Sequence, residues 1–325
     1  MRFARRGYPG GRRFAFTIMD DTDVATVANV RPVYRLLESL GMRTTKTVWP
    51  LACPEGSRNF SSSETLEDDG YREFVVDLQA RGFEIASHGA TMESSERSRT
   101  IEGLERFRAV FGGYPRVHAN HAYNRENLYW GRDRVDEPIL RAAYGRLNGQ
   151  PDGHYLGHEE GSPFWWGDWC REQVTYVRNL TFADVDLARI NPSMPYHDST
   201  RPLVRYWFSA ADAEDEIEFR ALLTPKRVDR LAQRGGFCIL ATHLGKGFVR
   251  DGQVDPDARR ILEHIASLDG WFPTVAELLD WLREQRRDDG LSSREWRRMQ
   301  WKWAADLLFR DRRKRRRRAR RSVVA

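Results

Sequence analysis

The sequence predicts an α/β fold made of parallel βα units. Apolar, β-rich runs alternate along the chain with segments of helical periodicity, and this alternation is typical of parallel strands joined by helices. A length of 325 residues with 40% hydrophobic residues is enough for one large packed domain. Polar residues follow several of the predicted strands, at the end where parallel folds bind their ligands.

The first half of the chain contains four predicted strands. We expect strands at 14–18, 45–49, 84–86 and 116–118, and helices at 71–80 and 100–111. The helix after the first strand is expected to be capped by Asn29, to carry Pro32 in its first turn and to end at Gly41. Gly82 and Gly112 end the other two helices.

The second half begins with an irregular segment at 149–201 that is rich in Trp, Tyr, Pro, Gly and His. Such a segment is more often a functional loop than a spacer, so we expect an aromatic loop insertion there. The regular pattern then resumes with strands at 203–208 and 237–242 and helices at 225–234, 257–268 and 275–285. We therefore expect a basic segment at 1–13, one α/β domain at 14–285 and an appendage at 286–325.

The charge is divided unevenly along the chain. Residues 310–321 hold ten Lys and Arg residues and one Asp, a charge of +9, although the whole chain carries only +6. The remainder is therefore mildly acidic, at about −3, whereas a body that grips nucleic acid along its surface is basic. We expect no specific nucleic-acid partner.

The cysteines and the N-terminus favour a cytoplasmic protein. Cys53, Cys170 and Cys238 are widely spaced and odd in number, which indicates neither a zinc motif nor a disulfide framework. The basic N-terminal residues are not followed by the apolar stretch of a secretory signal, and no run has the length of a membrane span.

Acids and histidines stand where four of the strands end. The first strand is followed by Asp20, Asp21 and Asp23, which crowd three negative charges into four residues. This crowding costs free energy unless a cation lies between the carboxylates, and the alternative is a solvated turn. The histidines after the later strands are His88, His118, His121 and His243. Carboxylates and imidazoles together suit zinc or a similar divalent ion.

These segments resemble the NodB-homology polysaccharide deacetylases, which remove acetyl groups from N-acetylated sugars. The likeness covers roughly 14–285, and its diagnostic stretches are TIMDD at 17–21, SHGATME at 87–93 and ILATH at 239–243. The stretches DDTD, NHAYN, RYWFSAADA and GWFPTVAELLDWL look typical of a divergent branch associated with bacterial surface-polysaccharide genes. The resemblance implies a distorted parallel β/α barrel.

The same resemblance implies roles for individual residues. Asp20 corresponds to the family's general base, and Asp21 corresponds to a metal ligand. His88 corresponds to a second ligand, and His243 to the histidine that assists the leaving group.

The sequence departs from the family pattern at two places. Met92 stands where the family has its next histidine ligand, and a thioether is a poor ligand for a hard ion. The third ligand is therefore expected to be His121, with Glu93 as the alternative. The family's R-x-P-Y motif, whose arginine orients the base, is missing, and HANH at 118–121 stands in its place. Asn120 and His121 are candidates for orienting Asp20 instead.

The expected function is a divergent, metal-dependent hydrolase, with zinc as the expected ion, that removes N- or O-acyl groups from a carbohydrate. Asp20 would take the proton of the attacking water, and His243 would protonate the departing amine. The alternative is a barrel that has lost its metal and only binds a glycan. Met92 and the missing arginine favour that alternative, whereas the intact aspartates and histidines favour the enzyme.

Aromatic and polar residues supply the expected sugar-binding surface. Trp and Tyr rings offer flat apolar faces with polar edges on which sugars stack, although any one such ring is more often part of the core. The residues expected to contact the substrate are Asp23, His118, Asn120, Asn124, Trp130, Trp166, Asp168, His197 and Trp207.

The C-terminal appendage combines a tryptophan-bearing amphipathic helix with the basic run at 310–321. Blocks of like charge are usually solvated and disordered, which is the first expectation for this run. The second is contact with an anionic membrane surface, to which each basic residue contributes about 1 kcal/mol. In that case the protein would lie peripherally at the inner face of the membrane.

Overall fold

A closed barrel of seven parallel strands forms the centre of the protein. The computed structural model describes residues 7–57, 59, 62–148, 153–286 and 290–324, and gives side chains for all of these except 145–148 and 309–324. The strands are β1 (Phe14–Asp20), β2 (Thr45–Val48), β3 (Glu84–Ser87), β4 (Val117–Ala119), β5 (Tyr176–Phe182), β6 (Tyr206–Asp212) and β7 (Phe237–Thr242). Neighbours pair in sequence order, and β7 pairs with β1 over six residues, which closes the barrel. The predicted parallel β/α barrel is confirmed.

Helices surround the barrel. They are α1 (Val27–Ser39), α2 (Asp69–Ala80), α3 (Arg97–Phe111), α4 (Pro138–Asn148), α5 (Gly167–Gln173), α6 (Leu187–Ile190), α7 (Glu216–Leu222), α8 (Pro225–Arg234), α9 (Pro256–Ser267), α10 (Val275–Glu284) and α11 (Ser293–Val324). Three two-residue strands are also present: β8 (Val249–Arg250) and β9 (Gln253–Val254) form a hairpin, and β10 (Gly270–Trp271) pairs with the start of β1. Two short 3₁₀ helices span Pro9–Gly11 and Gly131–Arg134.

The start of α1 differs from the expectation. Thr26 is the N-cap, because its hydroxyl accepts a hydrogen bond from the backbone N–H of Asn29 while the Asn29 side chain accepts one from the Thr26 N–H. Asn29 therefore lies in the first turn of the helix rather than before it. Pro32 consequently stands inside the helix, beyond its first turn.

The side chains of β1 alternate between two core clusters. Phe14, Phe16 and Ile18 lie in one cluster together with Val30 and other residues of α1, so this side of the strand faces the helices. The intervening Ala15 and Met19 belong to the second cluster. By the same alternation, the side chain of residue 20 is expected on the helix-facing side, not at the barrel mouth.

The segment 149–201 is not an irregular insertion throughout, which corrects the expectation. Residues 149–152 lie outside the described residues, but the rest contains α5, α6 and the barrel strand β5 between β4 and β6. All but one residue of β5 are buried. Arg178 and Asn179 interrupt its apolar pattern, and both side chains are nevertheless enclosed in the folded protein.

The appendage is docked on the barrel through α11. Met299 and Trp303 are buried in the second core cluster, and the Asp306 carboxylate accepts a hydrogen bond from the backbone N–H of Ala183, just after β5. The backbone of the basic run continues this helix to Val324, in contrast to the expected disorder. Among the described residues, no helix has both the length and the apolar character that crossing a membrane requires.

Candidate metal centre and active site

The polar residues that follow the strands meet in one pocket at the C-terminal end of the barrel. Its volume is about 730 Å³, within the usual range for small-molecule sites. The residues predicted for the site that line this pocket are Asp21, Asp23, His88, Glu93, Asn120, His121, Asn124, Trp130 and His243. Residues that follow several strands therefore converge on one pocket, and the position of each residue decides what it can do.

Asp23 lies at the centre of the histidines. Its Oδ1 is 3.3 Å from Nε2 of His88, and its Oδ2 is 3.3 Å from Nε2 of His243 and 3.5 Å from Nε2 of His121. The ammonium group of Lys246 is 3.6 Å from the same Oδ2. Burial alone would raise the pKa of Asp23, but the surrounding imidazoles hold it well below its usual value, so the carboxylate is ionised.

Each of these imidazoles is held through its other nitrogen. Nδ1 of His88 lies 2.9 Å from the carbonyl oxygen of Ala119, and Nδ1 of His243 lies 2.7 Å from that of Glu214, so both Nδ1 atoms donate. Nδ1 of His121 donates to Oδ1 of Asn124, whose amide nitrogen donates elsewhere. In its neutral form an imidazole protonated on Nδ1 has its lone pair on Nε2, so each of these rings, when neutral, directs a lone pair towards the carboxylate.

This arrangement fits a divalent cation. Lone pairs of imidazole and carboxylate that face one another repel unless a proton or a cation lies between them. Oδ1 of Asp23 is buried and accepts no hydrogen bond from any described residue. Ligand atoms of Asp23, His88 and His121 lie within 4.8 Å of one another. Two ligand atoms bound to zinc at 2.0–2.1 Å with tetrahedral angles are about 3.4 Å apart. The distance from Oδ1 of Asp23 to Nε2 of His88 is 3.3 Å, and the distance from Oδ2 of Asp23 to Nε2 of His121 is 3.5 Å.

The surroundings shift the pKa values of the three histidines in different directions. Burial lowers the pKa of His88, which favours the neutral ring that a metal ligand needs. Burial also opposes the charging of His121 and His243, but the Asp23 carboxylate outweighs it and raises both pKa values.

Asp21 is paired with an arginine from β5. Nη1 and Nη2 of Arg178 donate to the two carboxylate oxygens of Asp21 at 2.9 and 2.6 Å, and both side chains are almost fully buried. Burial alone would raise the pKa of Asp21, but the Arg178 guanidinium lowers it to about 2. β5 thus supplies an arginine beside this carboxylate, from a segment that the sequence pattern assigned to a loop.

Asp20 has no surface in the pocket, which differs from its predicted role as the catalytic base. Its Oδ2 lies 3.0 Å from Nζ of Lys46 and accepts a hydrogen bond from the Tyr34 hydroxyl of α1. Its Oδ1 accepts a hydrogen bond from the backbone N–H of Leu244. Both charged side chains are completely buried between the barrel and the helices, on the side of β1 that Phe14 shares.

The two candidates for the third metal ligand, His121 and Glu93, make different contacts. Nε2 of His121 faces Asp23, whereas Oε1 of Glu93 accepts a hydrogen bond from the Asn59 amide. Met92 also lines the pocket and accepts a hydrogen bond from the Ser62 hydroxyl on its sulfur. Of the two candidates, only His121, from the loop after β4, therefore faces the Asp23 carboxylate.

Five of the predicted substrate contacts lie outside the pocket. His118 is buried beside Ser87 and Trp166, and burial lowers its pKa to about 3. Trp166 and Trp207 are core residues, at 2% and 0% exposure. Asp168 forms a bidentate ion pair with Arg97, and His197 is an exposed residue whose Nδ1 contacts a backbone carbonyl. These placements differ from the predicted sugar contacts, because aromatic composition does not distinguish core from pocket.

Sequence reasoning missed three cations of the pocket. Arg134, Arg178 and Lys246 all line it. An arginine within an otherwise β-rich run, as in TYVRNLTF, was the available signal for Arg178, since a charge inside a barrel strand requires a partner. Lys246 lies three residues after His243, in the loop that the sequence had already marked.

Comparisons with known proteins identify the fold. No family model matches the sequence, and no curated protein sequence matches it. Among solved structures, a putative polysaccharide deacetylase from Mycobacterium smegmatis superposes with a TM-score of 0.51 at 14% identity, covering 90% of this chain and 98% of that chain.

Two further structures are similarly related. A probable polysaccharide deacetylase from Pseudomonas aeruginosa PAO1 has a TM-score of 0.50 at 15% identity and covers 85% of this chain and 93% of its own. Puue allantoinase has a TM-score of 0.50 at 13% identity, with 86% and 93% coverage. At these identities the likeness establishes a common fold.

Proposed function

Because the chain has the NodB-type fold of the polysaccharide deacetylases, we propose that it is a metal-dependent hydrolase that removes acyl groups from a carbohydrate. The observation that carries this proposal is the Asp23 carboxylate surrounded by three imidazole Nε2 atoms at 3.3–3.5 Å. Two of the solved structures that share the fold are described as polysaccharide deacetylases, which supports the substrate class.

Asp23, His88 and His121 would hold the ion, for which zinc is the expected identity. When bound, it would supply Lewis-acid polarisation of the acyl carbonyl and acidify water in the pocket. The sequence resemblance implies Asp21 as the carboxylate ligand of the ion, whereas we propose Asp23. For the third ligand we propose His121 instead of Glu93.

Asp21 is the proposed general base in place of Asp20. Its two hydrogen bonds from Arg178 fix the carboxylate in one orientation, and its low pKa keeps it ionised throughout the neutral range. An ionised carboxylate lining the pocket can accept a proton from a water molecule beside the bound acyl group. Asp20 has its acceptors occupied and cannot be reached by a substrate.

His243 is the proposed acid for the leaving group. Its Nδ1 donates to the carbonyl of Glu214, which turns Nε2 towards Asp23 and the pocket. An imidazolium in this position can give its Nε2 proton to a departing amine. Asn120, Asn124 and Trp130 line the same pocket and remain the proposed sugar contacts.

Acetate release tests the function directly. Purified protein supplied with zinc is incubated with N-acetylated chitooligosaccharides and with acetylated xylan, and acetate is measured with a coupled assay. We expect release from at least one of them, and loss of release in Asp21→Asn at unchanged metal content. Binding of the sugars without release, in protein that holds zinc, would favour a glycan-binding barrel and contradict the hydrolase.

We also propose that the C-terminal part of α11 contacts an anionic membrane surface. Trp301 and Leu308 are 45% and 50% exposed and lie seven residues apart, on one face of the helix, directly before the basic run at 310–321. Sedimentation with vesicles of phosphatidylglycerol, compared with neutral phosphatidylcholine vesicles, tests this. Truncation after residue 309 should abolish sedimentation, and persistent binding by the truncated protein would refute it. The cytoplasmic location and the absence of a specific nucleic-acid partner stay predictions.

A further inference from the structure

Arg134 is a buried arginine without a carboxylate partner. Three arginines are buried in the described part of the chain, at 4–7% exposure: Arg134, Arg178 and Arg201. Arg178 pairs with Asp21, and Arg201 pairs with two carboxylates, whereas Arg134 forms no ion pair with any described residue. Because a buried charge is normally paired, this exception requires an explanation.

The guanidinium of Arg134 is held rigidly by its own turn and by aromatic rings. It ends the 3₁₀ turn Gly131–Arg134, where its Nε donates to the Gly131 carbonyl and its Nη2 donates to the Tyr144 hydroxyl. Its centre lies 4.0 Å from the ring of Trp130 and 4.7 Å from that of Trp303. Cation–π contacts offset part of the desolvation, but ring faces do not replace hydrogen-bond acceptors in the guanidinium plane.

Three of the five N–H groups of Arg134 have no acceptor among the described residues. Arg134 lines the same pocket as Asp21 and His243. A rigid guanidinium with unused N–H groups at the wall of a substrate pocket is suited to a planar anion.

We infer that Arg134 pairs with the carboxylate of an acidic sugar unit, so that the preferred substrate is an acidic glycan. The inference rests on the proposed function, since it takes this pocket as the substrate site. A carboxylate bound at the wall that Arg134 occupies would accept the N–H groups that have no acceptor among the described residues.

Two probes that both contain N-acetylglucosamine test this inference by isothermal titration calorimetry. A hyaluronan tetrasaccharide carries glucuronate carboxylates, whereas chitotetraose is neutral. We expect the wild-type protein to bind hyaluronan tetrasaccharide at least tenfold more tightly, and Arg134→Gln to weaken that binding about 10- to 100-fold, because a charged hydrogen-bonded pair contributes about 1.5–3 kcal/mol. Binding of chitotetraose should change less than twofold. Arg134→Lys should restore part of the preference.

Arg125→Gln is the matched control, because Arg125 is exposed, stacks on Phe164 and does not line the pocket. It removes the same charge and should leave both affinities unchanged. Equal binding of the two probes by the wild type, or equal weakening of both by Arg134→Gln in folded protein, would overturn the inference. If the acidic probe bound in an Arg134-dependent manner but released no acetate, the proposed hydrolase function would be contradicted. If both probes released acetate equally, only the proposed role of Arg134 would be contradicted.

Discussion

Replacing Asp20 by Asn should destabilise the protein strongly, because it leaves Lys46 charged and unpaired in a dry environment. Neither side chain has any exposed surface, and their charged atoms are 3.0 Å apart. Burial alone would lower the pKa of Lys46, but the Asp20 carboxylate, assisted by the Tyr71 hydroxyl, outweighs it and raises that pKa. The Tyr34 hydroxyl and the Leu244 N–H lose the charged acceptor as well.

The expected cost is about 3–5 kcal/mol, the usual range when one partner of a buried ion pair is removed. That is a large part of the 5–15 kcal/mol typical of a folded domain. The double variant Asp20→Asn/Lys46→Met removes the orphaned charge and should recover about half of the loss. Asp269→Asn is the matched control, because its pair with Arg12 is about half exposed and should contribute less than about 1 kcal/mol.

Urea unfolding followed by tryptophan fluorescence measures these differences, with acetate release measured on the same preparations. The account predicts that Asp20→Asn unfolds at much lower urea than Asp269→Asn, and that the double variant lies between them. If Asp20→Asn were as stable as Asp269→Asn but could not release acetate, the structural role of Asp20 would be refuted. Asp20 would then again be the candidate for the catalytic base.

Three further predictions concern the pocket and its surroundings. Asp21→Asn should lower kcat for acetate release about 10²- to 10⁴-fold, since it removes the proton acceptor. His243→Gln should lower kcat by a similar factor on N-acetyl sugars but much less on 4-nitrophenyl acetate, because a nitrophenolate leaves without a proton. Burial raises the pKa of Glu126 from 4.5 to about 7, so its stabilising contribution is complete below pH 4.5 and is lost as the pH rises through 7. Between pH 5 and 8 the wild type should lose about 2–3 kcal/mol more unfolding free energy than Glu126→Gln, as urea titrations at both pH values would measure.

Each of these predictions has an outcome that contradicts it. Full activity of Asp21→Asn would remove Asp21 from the mechanism. Equal losses of His243→Gln on the sugar and the nitrophenyl ester would indicate a role other than protonation of the leaving group. A wild type and a Glu126→Gln variant with parallel pH dependence would show that Glu126 titrates normally in the folded state.

The fold could be predicted wherever a strand is apolar along its whole length. β7 and α8 have the expected bounds, because FCILAT is a fully buried run and α8 begins at a proline and ends before a glycine in the left-handed conformation. β5 was missed because Arg178 and Asn179 interrupt its apolar pattern, and the partner that makes Arg178 acceptable lies 157 residues away. Local pattern cannot show such a partner.

The convergence of the site was also predictable, because parallel strands end at one face of a barrel. The roles proposed within the first motif differ from those that the resemblance of TIMDD implies. β1 continues to Asp20, and strand alternation places that side chain with Phe14 and Phe16 towards the helices. The lysine in TKTV was a further signal, since a charged residue within a buried strand needs a partner of opposite charge.

The metal content of purified variants distinguishes Asp23 from Asp21 as the carboxylate that holds the ion. Protein is loaded with zinc, desalted and measured by inductively coupled plasma mass spectrometry for the wild type, Asp21→Asn, Asp23→Asn and His121→Ala. The account predicts about one equivalent in the wild type and in Asp21→Asn, with little or none in Asp23→Asn and His121→Ala. Zinc that persists in Asp23→Asn but disappears in Asp21→Asn would contradict it.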